Sequence, residues 1–315
     1  MRIRNNLTDL PTFSYTRTLP APLSFRPDHG KEAVHGRKGR LANAAWTPLE
    51  AFSFLVYESG RNLLTRIMAN LSEEDKLMQR INRRLAKGMT QYGLIDDGDK
   101  ILVGLSGGKD SMGLVELLAR RARIFKPRFS LVAVHVSMAN IAYRADLDYL
   151  RGWCESLGVP FVHRETSFDP STDNRKSPCF LCSWNRRKEL FTVAKETGCN
   201  KIALGHHMDD ILQTLLMNIT FQGAFSSMPP KLVMRKFDMT IIRPLCLVHE
   251  ADMEELAALR AYRKQVKACP YETDSHRSQM KEVFRRLEEM NPEARYSLWG
   301  SMTNIQTELL PSKKD

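Results

Sequence analysis

The chain has 315 residues, 43% of them hydrophobic, and a mean hydropathy of −0.36, enough for a normal core and about two domains. Its apolar runs fall well short of the roughly 18 residues of a membrane-spanning helix, and MRIRNNLTDLP lacks the apolar stretch of a secretory signal. We therefore expect a cytoplasmic protein with no membrane partner. The 47 Lys and Arg outweigh the 36 Asp and Glu by 11 charges, which favours an anionic partner such as nucleic acid, although a generically basic surface accounts for it as well.

Residues 1–75 read as an N-terminal extension. Its first part, to about residue 45, is rich in Pro, Arg, Asn and Thr without a sustained period, as in flexible, disordered segments. Ala45 to Leu71 has apolar spacing for one or two amphipathic helices. From Lys76, Leu77, Ile81 and Leu85 recur at helix spacing. Arg80, Arg83, Arg84 and Lys87 crowd the same helix, either as a solvated face or as a face for a phosphate backbone. Strand and helix patterns then alternate: strands over 101–105, 130–136, 160–165, 201–205 and 240–245, helices over 110–125, 143–157, 184–197 and 210–221. That alternation predicts an α/β domain over 76–260, a parallel sheet with helices on both faces. Ligands of such sheets bind at the carboxyl ends of the strands. Residues 261–315 form a short helical C-terminal segment.

GLSGGKDSMG, residues 104–113, joins the first of these strands to its helix. It is not G-x-x-x-x-G-K-[ST], because Asp110 follows Lys109, and it is not G-x-G-x-x-G. Gly107 and Gly108 let backbone N–H groups approach an anion closely, and the helix N-terminus adds partial positive charge. The hydroxyls of Ser106 and Ser111 can donate to phosphate oxygens, and Lys109 can neutralise charge. Asp110 is out of place in an anion cradle unless it caps the helix or reaches a Mg²⁺ that rides on the phosphates.

Two further constellations fall beyond strand ends. In GHHMDD, residues 205–210, the histidines and aspartates could form a dinuclear metal cluster, or Gly205 could admit a nucleotide while Asp209 or Asp210 orients Mg²⁺. CFLC, residues 179–182, is placed in a loop ahead of a helix start, where thiolates form easily. A redox pair, a structural zinc site, inert buried thiols and an iron–sulfur cluster compete for it. Zinc would need a second C-x₂-C, and a cluster needs further cysteines. Cys269, in KACPYE, is the third candidate. Cys246 is the runner-up, ending an apolar strand where packing suits it better, and Cys154 and Cys199 read as structural.

S-G-G-K-D-S resembles the PP-loop of the ATP pyrophosphatase superfamily of nucleotide α-hydrolases, which cut ATP to AMP and pyrophosphate while adenylating a substrate oxygen. The resemblance implies an adenine nucleotide α-hydrolase-like fold. It places ATP on Ser106, Gly107, Gly108, Lys109, Asp110 and Ser111, with the nucleotide also near His135, Gly205 and His206. It implies Lys109, Asp110 and Asp209 in catalysis, with Asp110 and Asp209 on Mg²⁺ and Asp210 capping its helix. LVGLSGGKDSMGL, SPCFLCSWNRRKEL, KIALGHHMDDILQTLLMN, MPPKL, IIRPL and Cys269 together resemble the tRNA 2-thiocytidine synthetases over roughly Lys76 to Met302. In that family three cysteines hold a 4Fe-4S cluster whose open iron takes up sulfide; carried over, they are Cys179, Cys182 and Cys269. The resemblance further implies adenylation of cytidine 32 O2 of a tRNA, its replacement by sulfur from a cysteine desulfurase, and a homodimer. Arg186, with Arg187 and Lys188, is a candidate for holding tRNA phosphate or the adenylate, or is a solvated helix face. Two departures stand out: the first 75 residues lie outside the family core, and CPYE stands where some members have C-x₂-C. The rival readings are another PP-loop tRNA-modifying enzyme, of the 2-thiouridine or lysidine type, and a cluster-containing RNA-binding redox sensor without turnover.

Overall fold

The computed structural model describes residues 72–141, 145–169, 178–263, 265 and 276–311, all within the unit Asn70–Asp315. The expectations for residues 1–71 and for Cys269 lie outside the described residues.

Helix α1 (Glu73–Gln91) starts three residues ahead of Lys76. Ser72 caps it, accepting the Asp75 N–H at 3.1 Å, and Glu73, Glu74 and Asp75 put negative charge at its positive end. Leu77, Ile81 and Leu85 are buried. Arg80 and Arg84 both reach Asp252, and Arg80 also pairs with Glu255. These two arginines are struts to a later helix, not a face for phosphates.

Strands β1 (Asp99–Gly104), β2 (Phe129–Met138), β3 (Phe161–Thr166), β4 (Lys201–Ala203) and β6 (Met239–Ile242) run parallel, and β5 (Lys231–Met234) lies antiparallel on β6. The order is β3-β2-β1-β4-β6-β5. The parallel strands are those the sequence predicts. β5 is not: it is short, at the edge, with Leu232 and Val233 exposed, so it has neither an alternation nor a buried run to betray it.

Helices α2 (Lys109–Ala122), α3 (Leu147–Ser156), α4 (Pro178–Glu196), α5 (Met208–Gln222), α6 (Glu250–Leu259), α7 (His276–Met290) and α8 (Ala294–Ser301) complete the described chain. Side chains of the strands alternate between two layers. Ile101 and Val103 of β1 join α1, α2, α3 and α6 on one face, while Leu102 joins α4 on the other. Helices α7 and α8 pack on α5, with Phe284, Leu298, Trp299 and Met302 around Met208, Leu212 and Leu216. The chain leaves β1 for β2 and β3 on one side and returns to β4 and β6 on the other. The carboxyl ends of β1 and β4 therefore border the crevice of a topological switch point.

Helix α4 begins at Pro178, not near Trp184. Cys179 and Cys182 consequently lie within the first five residues of a helix and not in a loop. Proline at the first helical position suits this start, since its missing N–H would have no partner there.

Candidate active site at the carboxyl edge of the sheet

The glycine loop follows β1 directly. Gly107 has φ +84°, a conformation that favours glycine, and a Cβ there would stand 2.8 Å from Gln265 Cγ. Ser111 ties the loop together: its hydroxyl donates to the Gly108 carbonyl at 2.9 Å, accepts the Ser106 N–H at 3.1 Å and lies 3.1 Å from the Ser106 hydroxyl. Ser106 Oγ in turn accepts the Gly108 N–H at 3.3 Å. Ser111 thus shapes the loop from inside. Gly108 is the N-cap of α2 and supplies no side-chain cap, which leaves the first N–H groups of the helix to a ligand.

Asp110 does not cap α2. Its Oδ2 accepts from Lys109 Nζ at 3.1 Å, while its Oδ1 is buried with no hydrogen-bond partner among the described residues. Burial pushes the Asp110 carboxyl up, against the pull of Lys109 and His207. Burial also works against the charge on Lys109, but Asp110 and Glu250 outweigh it and hold the ammonium above its ordinary value. Glu250 Oε1 lies 3.6 Å from Lys109 Nζ, and its Oε2 lies 2.9 Å from Lys281 Nζ.

The loop after β4 closes against this cradle. A Cβ on Gly205 would stand 3.1 Å from the Asp110 carbonyl and the Ser111 nitrogen, so glycine here permits the approach of two backbones. His206 is partly exposed beside it. His207 is the N-cap of α5: its Nδ1 accepts the Asp210 N–H at 3.3 Å, and Asp210 Oδ2 accepts the His207 N–H at 3.1 Å. Asp209 is buried with both oxygens engaged, Oδ1 by Arg295 Nη1 at 2.5 Å and Oδ2 by the Glu250 N–H at 2.7 Å. Burial opposes its ionisation, but Arg295 and the Glu250 N–H prevail and hold the carboxyl below the usual range. Asp209 therefore joins α5 to α6 and α8. Among the described residues no group of three or more His, Cys, Asp or Glu is placed to hold a metal ion, and a dinuclear cluster at GHHMDD is not formed.

His135 is buried, and its Nδ1 is 2.8 Å from the Leu105 carbonyl, bracing the end of β1 from β2. Burial lowers its pKa. The ring stacks near His163, with centroids 6.1 Å apart, and Ser137 Oγ is 2.8 Å from His163 Nε2.

At the start of α4, Cys179 is exposed and Cys182 is half-buried beside Met138, Ile141 and Phe168 at the ends of β2 and β3. Three residues apart on one helix, they share a face. This pair fits two of the three thiolate ligands of a cluster with one open iron. Cys246 cannot serve as the third: it is fully buried, burial pushes its thiol up to about 12, and a Cβ on Gly88 of α1 would stand 3.1 Å from its Sγ. Cys154 and Cys199 are likewise buried. Arg186 is half-buried one turn beyond Cys182, with Arg187 and Lys188 exposed beside it. Sequence reasoning did not find Arg295, Glu250 or Lys281, which reach the cradle from distant helices without a local motif.

Residues 76–286 match the PP-loop domain family. The tRNA-cytidine(32) 2-sulfurtransferase of Chromohalobacter salexigens is 36% identical over 236 residues, covering 73% of this chain and 82% of the relative. That of Syntrophotalea carbinolica is 36% identical over 241 residues, covering 74% and 92%. Among solved structures, the U34-tRNA thiolase NcsA from Methanococcus maripaludis with its 4Fe-4S cluster aligns with a TM-score of 0.59 at 26% identity, over 72% of this chain and 78% of that one.

Proposed function

The chain belongs to the PP-loop domain family and, within it, to the tRNA-cytidine(32) 2-sulfurtransferases, and on that premise we propose that it is an ATP-dependent tRNA sulfurtransferase that converts cytidine 32 to 2-thiocytidine. The observation that carries this reading is the cradle itself: uncapped helix N–H groups, Lys109, and a buried Asp110 oxygen that accepts no hydrogen bond among the described residues and has His207 Nε2 3.9 Å away. An anion that brings a divalent cation would satisfy all three at once.

In this mechanism the phosphates of ATP accept the N–H groups of Gly107, Lys109 and Asp110 and the charge of Lys109, and Asp110 would hold the Mg²⁺ that accompanies them. The O2 of the cytidine displaces pyrophosphate from the α-phosphorus, forming the O–P bond of an adenylate. The charge developing on pyrophosphate is met by the α2 N-terminus and Lys109, already in place. Asp209, with both oxygens taken, orients Glu250 and so Lys109 instead of the cation. The 4Fe-4S cluster, held by Cys179, Cys182 and Cys269, would supply the sulfur that takes the place of O2 as AMP leaves. Gly205, His206 and the end of β2 at His135 border the nucleoside end of the crevice, with Arg186 close enough to His135 to act on its charge. The base must stand unstacked to reach it. A cysteine desulfurase as sulfur source, a cytoplasmic setting and a homodimer complete the proposal, and rest on the resemblance alone.

Nucleoside mass spectrometry of tRNA from a strain lacking the chain should show 2-thiocytidine gone. Unchanged 2-thiocytidine would overturn the substrate. Iron and sulfide analysis after anaerobic purification should show cluster loss in each of Cys179→Ala, Cys182→Ala and Cys269→Ala. Normal content in all three would overturn the cluster.

A further inference from the structure

Arg243 follows β6 on the carboxyl edge of the sheet, level with Leu204 after β4. It is buried, 7% exposed. Its Nη1 donates to the Pro229 carbonyl at 2.6 Å. Its Nε is buried without a partner, and neither Nε nor Nη2 donates to any described residue. Those two nitrogens form the edge of the guanidinium that grips a carboxylate or phosphate with two parallel bonds. Among the described residues no carboxylate pairs with Arg243, and besides burial the neighbour that opposes its charge is another cation, Arg187. Buried Lys201 shows the usual alternative, with Asp99 at 2.6 Å and Asp96 at 2.8 Å. A buried guanidinium left with one neutral carbonyl is costly unless an anion arrives.

The surroundings suggest which anion. By strand alternation Arg243 shares the face of Met239 and Leu204, the face that α4 covers. Arg187 and Arg186 lie on α4 one turn before Phe191 and Leu190, which pack on that face. Arg187 is near enough to oppose the charge of Arg243, and Arg186 adjoins it on α4, so three guanidinium groups gather between the start of α4 and the end of β6. Arg243 stands two strands from β1, about 10 Å at ordinary strand spacing. The ATP phosphates are provided for at the glycine loop. We propose that Arg243 is an RNA-binding residue whose Nε and Nη2 grip, as a fork, one backbone phosphodiester beside the target nucleotide. The inference rests on the tRNA reading above and names the contact that would seat the substrate.

The test is binding of a fluorescein-labelled anticodon stem-loop, with cytidine at position 32, to the full chain purified anaerobically. Arg243→Gln should weaken RNA binding about tenfold or more and lower the salt slope by about one, with the dissociation constant for ATP unchanged. Arg243→Lys, which keeps the charge but loses the fork, should recover only part of the affinity, and it carries the test if the Gln variant does not fold. Neutral methylphosphonates placed in turn at the loop phosphates should identify one position that weakens wild-type binding and adds nothing further in the variant. RNA affinity equal to wild type overturns the site. So does a shift confined to ATP, which would assign the fork to a nucleotide phosphate. Lost RNA affinity in the variant, with 2-thiocytidine unchanged in a strain lacking the chain, would keep this site and overturn the thiolation reading instead.

Discussion

A methyl group on Gly205 would meet the backbone of Asp110 and Ser111, which cannot swing aside as a side-chain end could. Gly205→Ala should therefore push the two loops apart, costing about 1–3 kcal/mol by overpacking and displacing the cradle. Thermal unfolding should register the first effect, and AMP release from ATP should fall by more than the loss of stability explains. Asp110 is tested differently. Asp110→Asn keeps the volume and removes the charge, so Mg²⁺-dependent pyrophosphate formation should fall about 100-fold, as when other electrostatic groups aimed at a reaction are deleted, with little change in melting temperature. Full activity in Asp110→Asn would remove the cation from this oxygen. Because burial raises the Asp110 carboxyl, the wild-type rate should begin to fall on acidification at a higher pH than an exposed aspartate would give.

Between elements, the pair Asp209–Arg295 fastens α5 to α8, and the Glu250 N–H adds α6 to the same carboxylate. Both side chains are largely buried, and Arg295 also holds Glu288, so removing Arg295 leaves Asp209 charged and buried without its arginine. Arg295→Met should cost about 3–5 kcal/mol in urea unfolding, and the double variant Asp209→Asn/Arg295→Met much less. Equal losses in single and double variants would reduce the pair to a surface contact. The pH dependence has a fixed sign. The Asp209 carboxyl is held below its usual value, so its contribution is complete above the unfolded pKa, about 3.9. It is lost as pH falls through the folded pKa, and Asp209→Asn should flatten that acid limb. This fastening was illegible in the sequence because Asp209 and Arg295 stand far apart with no shared motif. GLSGGKDSMG, by contrast, could be read at sight: a strand, two glycines and a helix start are local signals. The start of α4 lay between these cases. Ser-Pro ahead of CFLC suggested a loop, whereas a proline at the first helical position fits a helix equally well. β5 escaped because an exposed edge strand of four residues has no buried face to set a period.

Across the whole molecule the two layers on the sheet are unequally anchored. Helix α2 is buried continuously from Ser111 to Ala119, and α1, α3 and α6 share its core. Helix α4, on the other face, has Val193 and Ala194 as its buried residues, both in its last turn. Its first half, which carries Cys179, Cys182, Arg186 and Arg187, is held by partly buried contacts such as Leu181 and Cys182 against Phe168. Local opening is cheapest where few apolar contacts must be broken. Among the described residues, the segment that presents the cysteines and these two arginines is therefore less deeply packed than α2 and better able to move without unfolding the sheet. Hydrogen exchange of the cluster-free protein should show amides of residues 180–190 exchanging by local opening, far faster than those of residues 112–119. Anaerobic reconstitution with iron and sulfide should slow the α4 amides and leave those of α2 unchanged, because ligation at Cys179 and Cys182 would tie down the turn that starts the helix. Equal protection of the two helices before reconstitution would mean that α4 is fixed by the fold alone, and the cysteine turn would then be preorganised instead of ordered by what it binds.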